Sequence, residues 1–478
     1  MRTVIALVLV IVSVLVLELS RSGVAYREIL VGETPVTAYA TDDADGPRVV
    51  IAHGFAGSSQ MMQGYALPLA KAGYRVFSFD FLGHGRNPVP MSGDVTAITG
   101  TTRLLVDQTS AVIDAVKTGE EPVALIGHSM ATDILARVAA ERPDIGPVVL
   151  ISAFSQAIDA THPQTLLLVP GAWEPGLRAF ALDAARMVDP AAAEDETVAA
   201  GAVIRRAQIA PLSEHVSVLH SRVGRAAAVE WLDDAYGRTS DVRVLPTGLA
   251  ILGLFGGLVL LFSSLARWLP DNAMPSPALS RMRIAVAALL PAIAAPLIAV
   301  PLDPQLLPVL VADYLALHLA IFGVIQLGLI KAWKLPFGRF SPASMGLLIV
   351  WCALFGFAFN RYAANFWPTA GRLWIILAIA LGAVPYMLAD AVLTHRAGFL
   401  RRLALRGGFV ASLGLAVALD FEGLFFLIMI APVVILFYLI FGTMGRAAGT
   451  RAGAPASGLA LGLVLAWALG VSFPLFQS

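Results

Sequence analysis

The sequence predicts an α/β domain with a mostly parallel sheet and helices on both faces, followed by an all-α domain of membrane-length helices. Three observations carry this. Short apolar runs ending in turn residues, such as Val49–Ala52, Val123–Ile126 and Val148–Ile151, alternate with helix-compatible stretches, the pattern of buried parallel strands with crossover helices. From Leu245 onward the apolar stretches become long and close-spaced. The composition is 58% apolar and 14% charged, against roughly 25% charged in a soluble protein, and the mean hydropathy is +0.76.

Thr3–Leu19 is an apolar stretch long enough to span a bilayer. The residues after it, Ser20-Arg21-Ser22-Gly23, offer no small-x-small cleavage site, which favours an uncleaved anchor over residues 1–22 rather than a removed signal peptide. The α/β domain is expected over 23–243 and the membrane domain over 244–478. Zero formal net charge implies no polyanionic partner, nucleic acid included. The single cysteine, Cys352, excludes a disulfide within one chain.

The chemistry concentrates around Leu125-Ile126-Gly127-His128-Ser129-Met130-Ala131. A buried strand runs into Ser129, and helix-compatible sequence, Ala131–Ala140, follows it. A serine on so sharp a strand-to-helix turn adopts a strained backbone, and small neighbours at Gly127 and Ala131 let the two elements approach. Upstream, the strand Val49–Ala52 ends in His53-Gly54-Phe55, and Tyr74–Phe79 leads into Asp80-Phe81-Leu82-Gly83-His84-Gly85. Downstream, the strand Leu166–Val169 is followed by a turn holding Glu174, and a short strand over Ala207–Pro211 by a loop holding His215. The chain order serine, acid, histidine differs from the chymotrypsin and subtilisin orders.

These segments resemble the α/β-hydrolase superfamily over about residues 26–240, and within it the lysophospholipase/serine-aminopeptidase-like group, which carries an HG near its start, a D-x-x-G-H-G loop and a GHSM elbow. Ala131 stands where Gly is usual, and Glu174 where Asp is commoner. The resemblance implies a triad of Ser129 as nucleophile, His215 as base and Glu174 as its orienting acid, with Phe55 and Met130 lending backbone N–H groups to an oxyanion hole. His220 competes with His215, and Asp159 and Asp183 compete with Glu174. His53 and His84 read as structural loop residues, His128 as packing, and Asp80 as a support for the Gly83–Gly85 loop. Asp133 reads as a solvated or capping residue, with a substrate contact left open by its one-turn spacing from Ser129. Only about a dozen residues separate Val148–Ile151 from Leu166, too few for an inserted cap domain, so the site is expected to be open unless the membrane or the second half of the chain closes it.

In that second half, apolar stretches fall at 247–265, 284–301, 309–330, 343–359, 372–393, 407–420, 423–442 and 455–475, about eight spans beyond the anchor. Residues 407–442 read as two tight spans or as a re-entrant hairpin, with Asp420 and Glu422 at the turn. Asp313 and His318, five apart, point in different directions on their helix. Pro275–Ala278 and Gly449–Gly458 read as linkers. Alternate loops are basic: Arg267, Arg281 and Arg283; Lys331, Lys334 and Arg339; Arg396, Arg401, Arg402 and Arg406; Arg446 and Arg451. The intervening ones hold Asp303, then Arg361 and Arg372, then Asp420 and Glu422. The positive-inside rule puts the basic loops in the cytoplasm and the α/β domain on the opposite side of the plasma (inner) membrane.

The expectation is a membrane-anchored serine hydrolase acting outside the cytoplasm on a small-molecule or lipid-like ester, thioester or amide. No cofactor and no metal is expected, and the oligomeric state is left open. The alternative is a transporter or scaffold whose hydrolase domain binds without catalysing, with Asp313 and His318 on a polar path.

Overall fold

The computed structural model describes residues 1–94, 98–272, 274–302, 304–307 and 309–476; Asp303, counted above among the loop charges, lies outside them. A long helix, α1 (Arg2–Arg21), leads into the α/β domain. Its order is β1 (Ala25–Val31), β2 (Thr34–Ala40), β3 (Arg48–Ala52), α2 (Gln63–Lys71), β4 (Arg75–Phe79), α3 (Arg103–Val116), β5 (Val123–His128), α4 (Met130–Glu141), β6 (Ile145–Ile151), β7 (Thr165–Val169), α5 (Pro175–Arg186), β8 (Thr197–Ala200), β9 (Val203–Ala207) and α6 (Arg222–Tyr236). The nine strands form one sheet in the order β1-β2-β4-β3-β5-β6-β7-β9-β8. Pairing is parallel from β4 to β9 and antiparallel at both margins.

Period-two alternation splits each central strand between two cores. Val50, Ala52, Leu125, Val148 and Leu168 face α3, α4 and α5, while Val49, Ile51, Ile126, Val149 and Val169 face α2 and α6. Both sheet faces are therefore covered, as near-continuous apolar strands require. Register aligns the strand ends: Ala52 pairs with Gly127, His128 with Ile151, and Ile151 with Val169. The residues that follow these strands thus emerge along one edge of the sheet. The β6–β7 connection, 152–164, contains no helix or strand.

The strand expected at Ala207–Pro211 lies instead at Val203–Ala207, paired with β8 in a hairpin. Its arginines disguise it. Arg205 is fully buried and donates to the Ala184 carbonyl at 2.8 Å and to the carbonyls of Asp159 and His162, so a polar letter occupies an interior position.

The second half contains α7 (Thr247–Leu265), α8 (Arg281–Leu302), α9 (Ala312–Ala332), α10 (Pro342–Tyr362), α11 (Ala370–Leu393), α12 (Phe399–Leu419), the short α13 (Phe421–Leu424), α14 (Leu427–Ala452) and α15 (Ala454–Ser472). Among the described residues, α1 and eight of these make nine helices long and apolar enough to cross a membrane. Residues 407–442 belong to two full-length helices, not to a re-entrant hairpin, because α12 starts at Phe399 and carries Arg401, Arg402 and Arg406 in its first turns. Asp420 accepts the Gly423 N–H between the two helices. The Gly449–Gly458 stretch is not a linker: α14 and α15 run through it, separated by Gly453 at φ +101°. Its small residues let the two helices touch, as where Gly449 meets Ser457.

The α/β domain is seated on one end of this bundle by polar contacts. Arg372 of α11, almost wholly buried, donates to the carbonyls of Gly83 (2.6 Å), Gly85 (3.1 Å) and Phe473 (3.3 Å). Asn365 binds Ser58 and Gly85. Arg361 pairs with Glu18 of α1 at 2.7 Å, and Arg21 meets Gln63 of α2. The chain then returns to the domain after α15, where Leu475 exchanges backbone hydrogen bonds with Gly83 and Met91.

Candidate active site

The strand-end edge of the sheet carries Ser129, Glu174 and His215. Ser129 sits between β5 and α4 at φ 53°, ψ −117°, a conformation that costs a non-glycine residue roughly 1–3 kcal/mol. Tight packing holds it there. A Cβ on Gly127 would lie 2.7 Å from Leu135, and one on Gly54 would lie 2.9 Å from the Ser129 Cβ. Thr132 ties the turn down by donating to the Ser129 carbonyl at 2.6 Å.

Ser129 Oγ lies 2.8 Å from His215 Nε2, and His215 Nδ1 lies 2.6 Å from Glu174 Oε1. The imidazole is 45% exposed and the carboxylate 7%, so the hydrogen-bonded chain ends on a sheltered charge. Burial alone would raise the Glu174 pKa. Hydrogen bonds from His215, from Ser152 Oγ at 2.6 Å and from the Gly171 N–H at 2.7 Å outweigh it and leave the carboxyl below its ordinary range. His128 fixes the His215 loop through a 2.8 Å hydrogen bond from Nε2 to the His215 carbonyl. Burial, then the neighbouring His215, lower the His128 pKa to about 4, so it stays neutral. The close approach of Gly54 sets the backbone at Phe55 beside Ser129, and Met130 begins α4 directly after it.

The competing residues lie elsewhere. His220 is half-buried, lining a small cavity with Thr247 and Ser20 at the junction with α1 and α7. Asp159 binds the Thr161 and His162 amides of its own loop. Asp183 is on α5, in an ion pair with Arg186 at 3.9 Å. His53 is committed at both nitrogens, donating to the Gly54 carbonyl and accepting from the Phe81 N–H. His84 donates to the Leu82 carbonyl. Asp80 is buried against Gly85 and accepts from Ser59 and Arg86. Asp133 holds the loop after β6 through Ser155 and Gln156. Asp313 accepts the Leu306 and Leu307 amides, and His318 is bracketed by Tyr314 and Ser412, each at 2.9 Å. Among the described residues, no cluster of His, Cys, Asp or Glu could hold a metal.

Ser152 is the contributor that sequence reasoning missed. It follows β6 at φ 49°, and nothing in Ile151-Ser152-Ala153 distinguishes it from any serine after a strand.

Residues 45–194 match the hydrolase family described as serine aminopeptidase, S33. An epoxide hydrolase of Caballeronia sordidicola is 27% identical over 118 residues, 25% of this chain and 34% of that protein; the chain thus spans about a third of that relative's length. Among solved structures, a CIB-like hydrolase from Thermoplasma acidophilum aligns at 20% identity over 44% of this chain and 100% of its own, with a TM-score of 0.35. An epoxide hydrolase from an endophytic Streptomyces aligns at 29% identity over 28% of this chain and 38% of its own, with a TM-score of 0.23. The family match together with the mostly parallel sheet identifies the α/β-hydrolase fold, and the domain is of the hydrolase type.

Proposed function

We propose that the protein is a membrane-embedded serine hydrolase that cleaves an ester, thioester or amide on the non-cytoplasmic side of the membrane. The observation that carries the reading is the unbroken relay from Ser129 through His215 to Glu174. His215 Nε2 takes the Ser129 proton as Oγ attacks the acyl carbonyl, then delivers it to the leaving group. Glu174 keeps the second proton on Nδ1 and stabilises the imidazolium. The Phe55 and Met130 N–H groups serve as the donors to the tetrahedral oxygen, each such donor typically contributing about 3–4 kcal/mol. Water then attacks the acyl-serine by the same relay.

The nucleophile separates this from epoxide opening. A serine oxygen attacking an epoxide carbon would leave an alkyl ether, which offers water no carbonyl to attack. A carboxylate nucleophile would leave a cleavable ester. Ser129 therefore fits acyl substrates.

Sidedness is supported by charge. The basic junctions between α7 and α8, α9 and α10, α11 and α12, and α14 and α15 meet one another at one bundle end, where Arg451 pairs with Asp271, Arg396 binds Thr450 and Gly453 packs on Arg339, and the positive-inside rule assigns that end to the cytoplasm. Of the arginines that run against this pattern, Arg21, Arg361 and Arg372 are engaged in docking contacts, while Arg27 is exposed on β1 of the α/β domain, whose length lets it translocate regardless of charge. The test is hydrolysis of a panel of soluble esters, thioesters and amides by the purified full chain. Ser129→Ala should abolish turnover of whichever class is cleaved; a variant with undiminished turnover would refute the reading.

A further inference from the structure

In the absence of an inserted cap domain, the bundle meets the hydrolase domain beside the nucleophile turn, at Phe55. Phe55, the oxyanion residue, stacks on Phe426 at a ring separation of 5.1 Å, 25° from parallel, and lies 6.5 Å from Phe476 of the returning tail. Between them is an almost wholly apolar cavity of about 70 Å³, bounded by Phe55, Leu310, Phe426, Met429, Val433 and Phe476. At roughly 10–15 Å³ per water-sized group it holds about five such groups, a short stretch of alkyl chain. Met429 and Val433 are also 45% and 39% exposed on the flank of α14, so the cavity wall is shared with the lateral surface of the bundle.

A second feature lies along the same sheet edge. The loops that carry the relay each present a large apolar side chain: Phe154 after β6, Trp173 beside Glu174, and Leu212 and Val216 around His215, all at least half exposed. Phe154 is tied to the nucleophile turn through Thr132. Exposed apolar groups gathered around a polar site mark a surface that meets something apolar.

We propose that the substrate is an acyl ester of a bilayer lipid, drawn from the leaflet that borders the hydrolase domain, with its acyl chain received by the cavity between Phe55 and α14 while the apolar rim rests in that leaflet. This rests on the acyl-transfer reading and gives it a substrate class. It also gives the bundle a task that tethering alone does not require: it forms one wall of the acyl site.

The experiment uses the full chain in phosphatidylcholine vesicles, with p-nitrophenyl esters from acetate to palmitate, and compares Val433→Trp and Val433→Ala with wild type. An indole at 433 fills the cavity and should lower the long-to-short ratio of kcat/KM by about tenfold, the loss of about two buried methylenes. Alanine at 433 enlarges the cavity and should move the preferred chain length upward. Opposite shifts cannot arise from a common folding defect. Phe154→Asp should lower the rate on vesicle-held palmitate ester by about tenfold relative to the detergent-dispersed ester. Superimposable chain-length profiles for all three position-433 proteins would overturn the acyl site while leaving the serine chemistry standing, and an unchanged vesicle-to-detergent ratio would overturn delivery from the bilayer. Wild type that cleaves no ester of any length but does cleave a thioester or amide would overturn the lipid ester as substrate, and failure on all three classes would remove the acyl-transfer reading itself.

Discussion

Ser152 tests how the acid of the relay is held. Its hydroxyl donates to Glu174 Oε2 at 2.6 Å, on the oxygen that His215 does not use. A hydrogen bond to a charged group contributes about 1.5–3 kcal/mol. In Ser152→Ala the Gly171 N–H still reaches the same oxygen, so the lower part of that range applies. Alanine tolerates the positive φ no worse than serine does. The carboxylate loses a donor that favours its charged form, so its pKa rises from its depressed position. A less firmly held Glu174 stabilises the imidazolium less, so kcat/KM should fall by about tenfold, about 1.4 kcal/mol, with the loss growing toward the acid limb of the profile. The assay is a pH–rate profile on any ester the protein cleaves. Ser155→Ala, whose hydroxyl binds Asp133 instead, is the control and should leave the profile in place. A Ser152→Ala profile that overlays the wild type would refute the claim that Ser152 supports Glu174.

Three further outcomes are expected. Arg372→Ala strands the three carbonyls it serves at the junction of the two halves and should lower the thermal midpoint and open the Gly83–Met91 segment to proteolysis, at a cost of about 2–4 kcal/mol; lysine, lacking the fork, should restore only part, and an alanine variant as resistant as wild type would contradict the docking role. His128 titrates near 6.5 unfolded but about 4 in the fold, so between those values the unfolded chain binds more protons, and stability should fall as pH drops from 6.5 toward 4, by up to about 3 kcal/mol; denaturation midpoints should show a shallower slope in His128→Gln, and equal slopes would count against it. Because the native Cys352 is buried, Glu120→Cys and Arg281→Cys should react with an impermeant maleimide from opposite faces of the membrane, the former from outside the cell; labelling of both from one face would refute the topology.

Much of this architecture was legible because its signals are local. A serine between an apolar strand and a helix, with Gly127 and Ala131 beside it, satisfies steric demands that span a few residues. The long apolar runs form helices of membrane-spanning length in the same direct way. What escaped reading depends on contacts remote in sequence. Arg205 sits inside β9 because carbonyls of two other segments receive it, so composition hid the strand. Arg401, Arg402 and Arg406 concealed the start of α12, since charged residues in a first turn look like a loop until the helix is seen to continue. Gly449–Gly458 has linker composition and helical-hairpin structure for one reason: small residues permit both flexibility and close packing, and the neighbouring helix decides. Arg372 reads as a loop charge, yet its partners Gly85 and Gly83 lie 287 and 289 residues away. Ser152 reaches Glu174 only through the alignment of β6 with β7.

The central claim is that the Ser129 hydroxyl is a nucleophile activated by His215. Treating the full chain with a fluorophosphonate and mapping the adduct by peptide mass spectrometry tests it most directly. The account predicts a single phosphonylated peptide carrying the adduct on Ser129, with labelling lost in Ser129→Ala and slowed by several orders of magnitude in His215→Ala. An adduct on another residue, or undiminished labelling of Ser129→Ala, would contradict it.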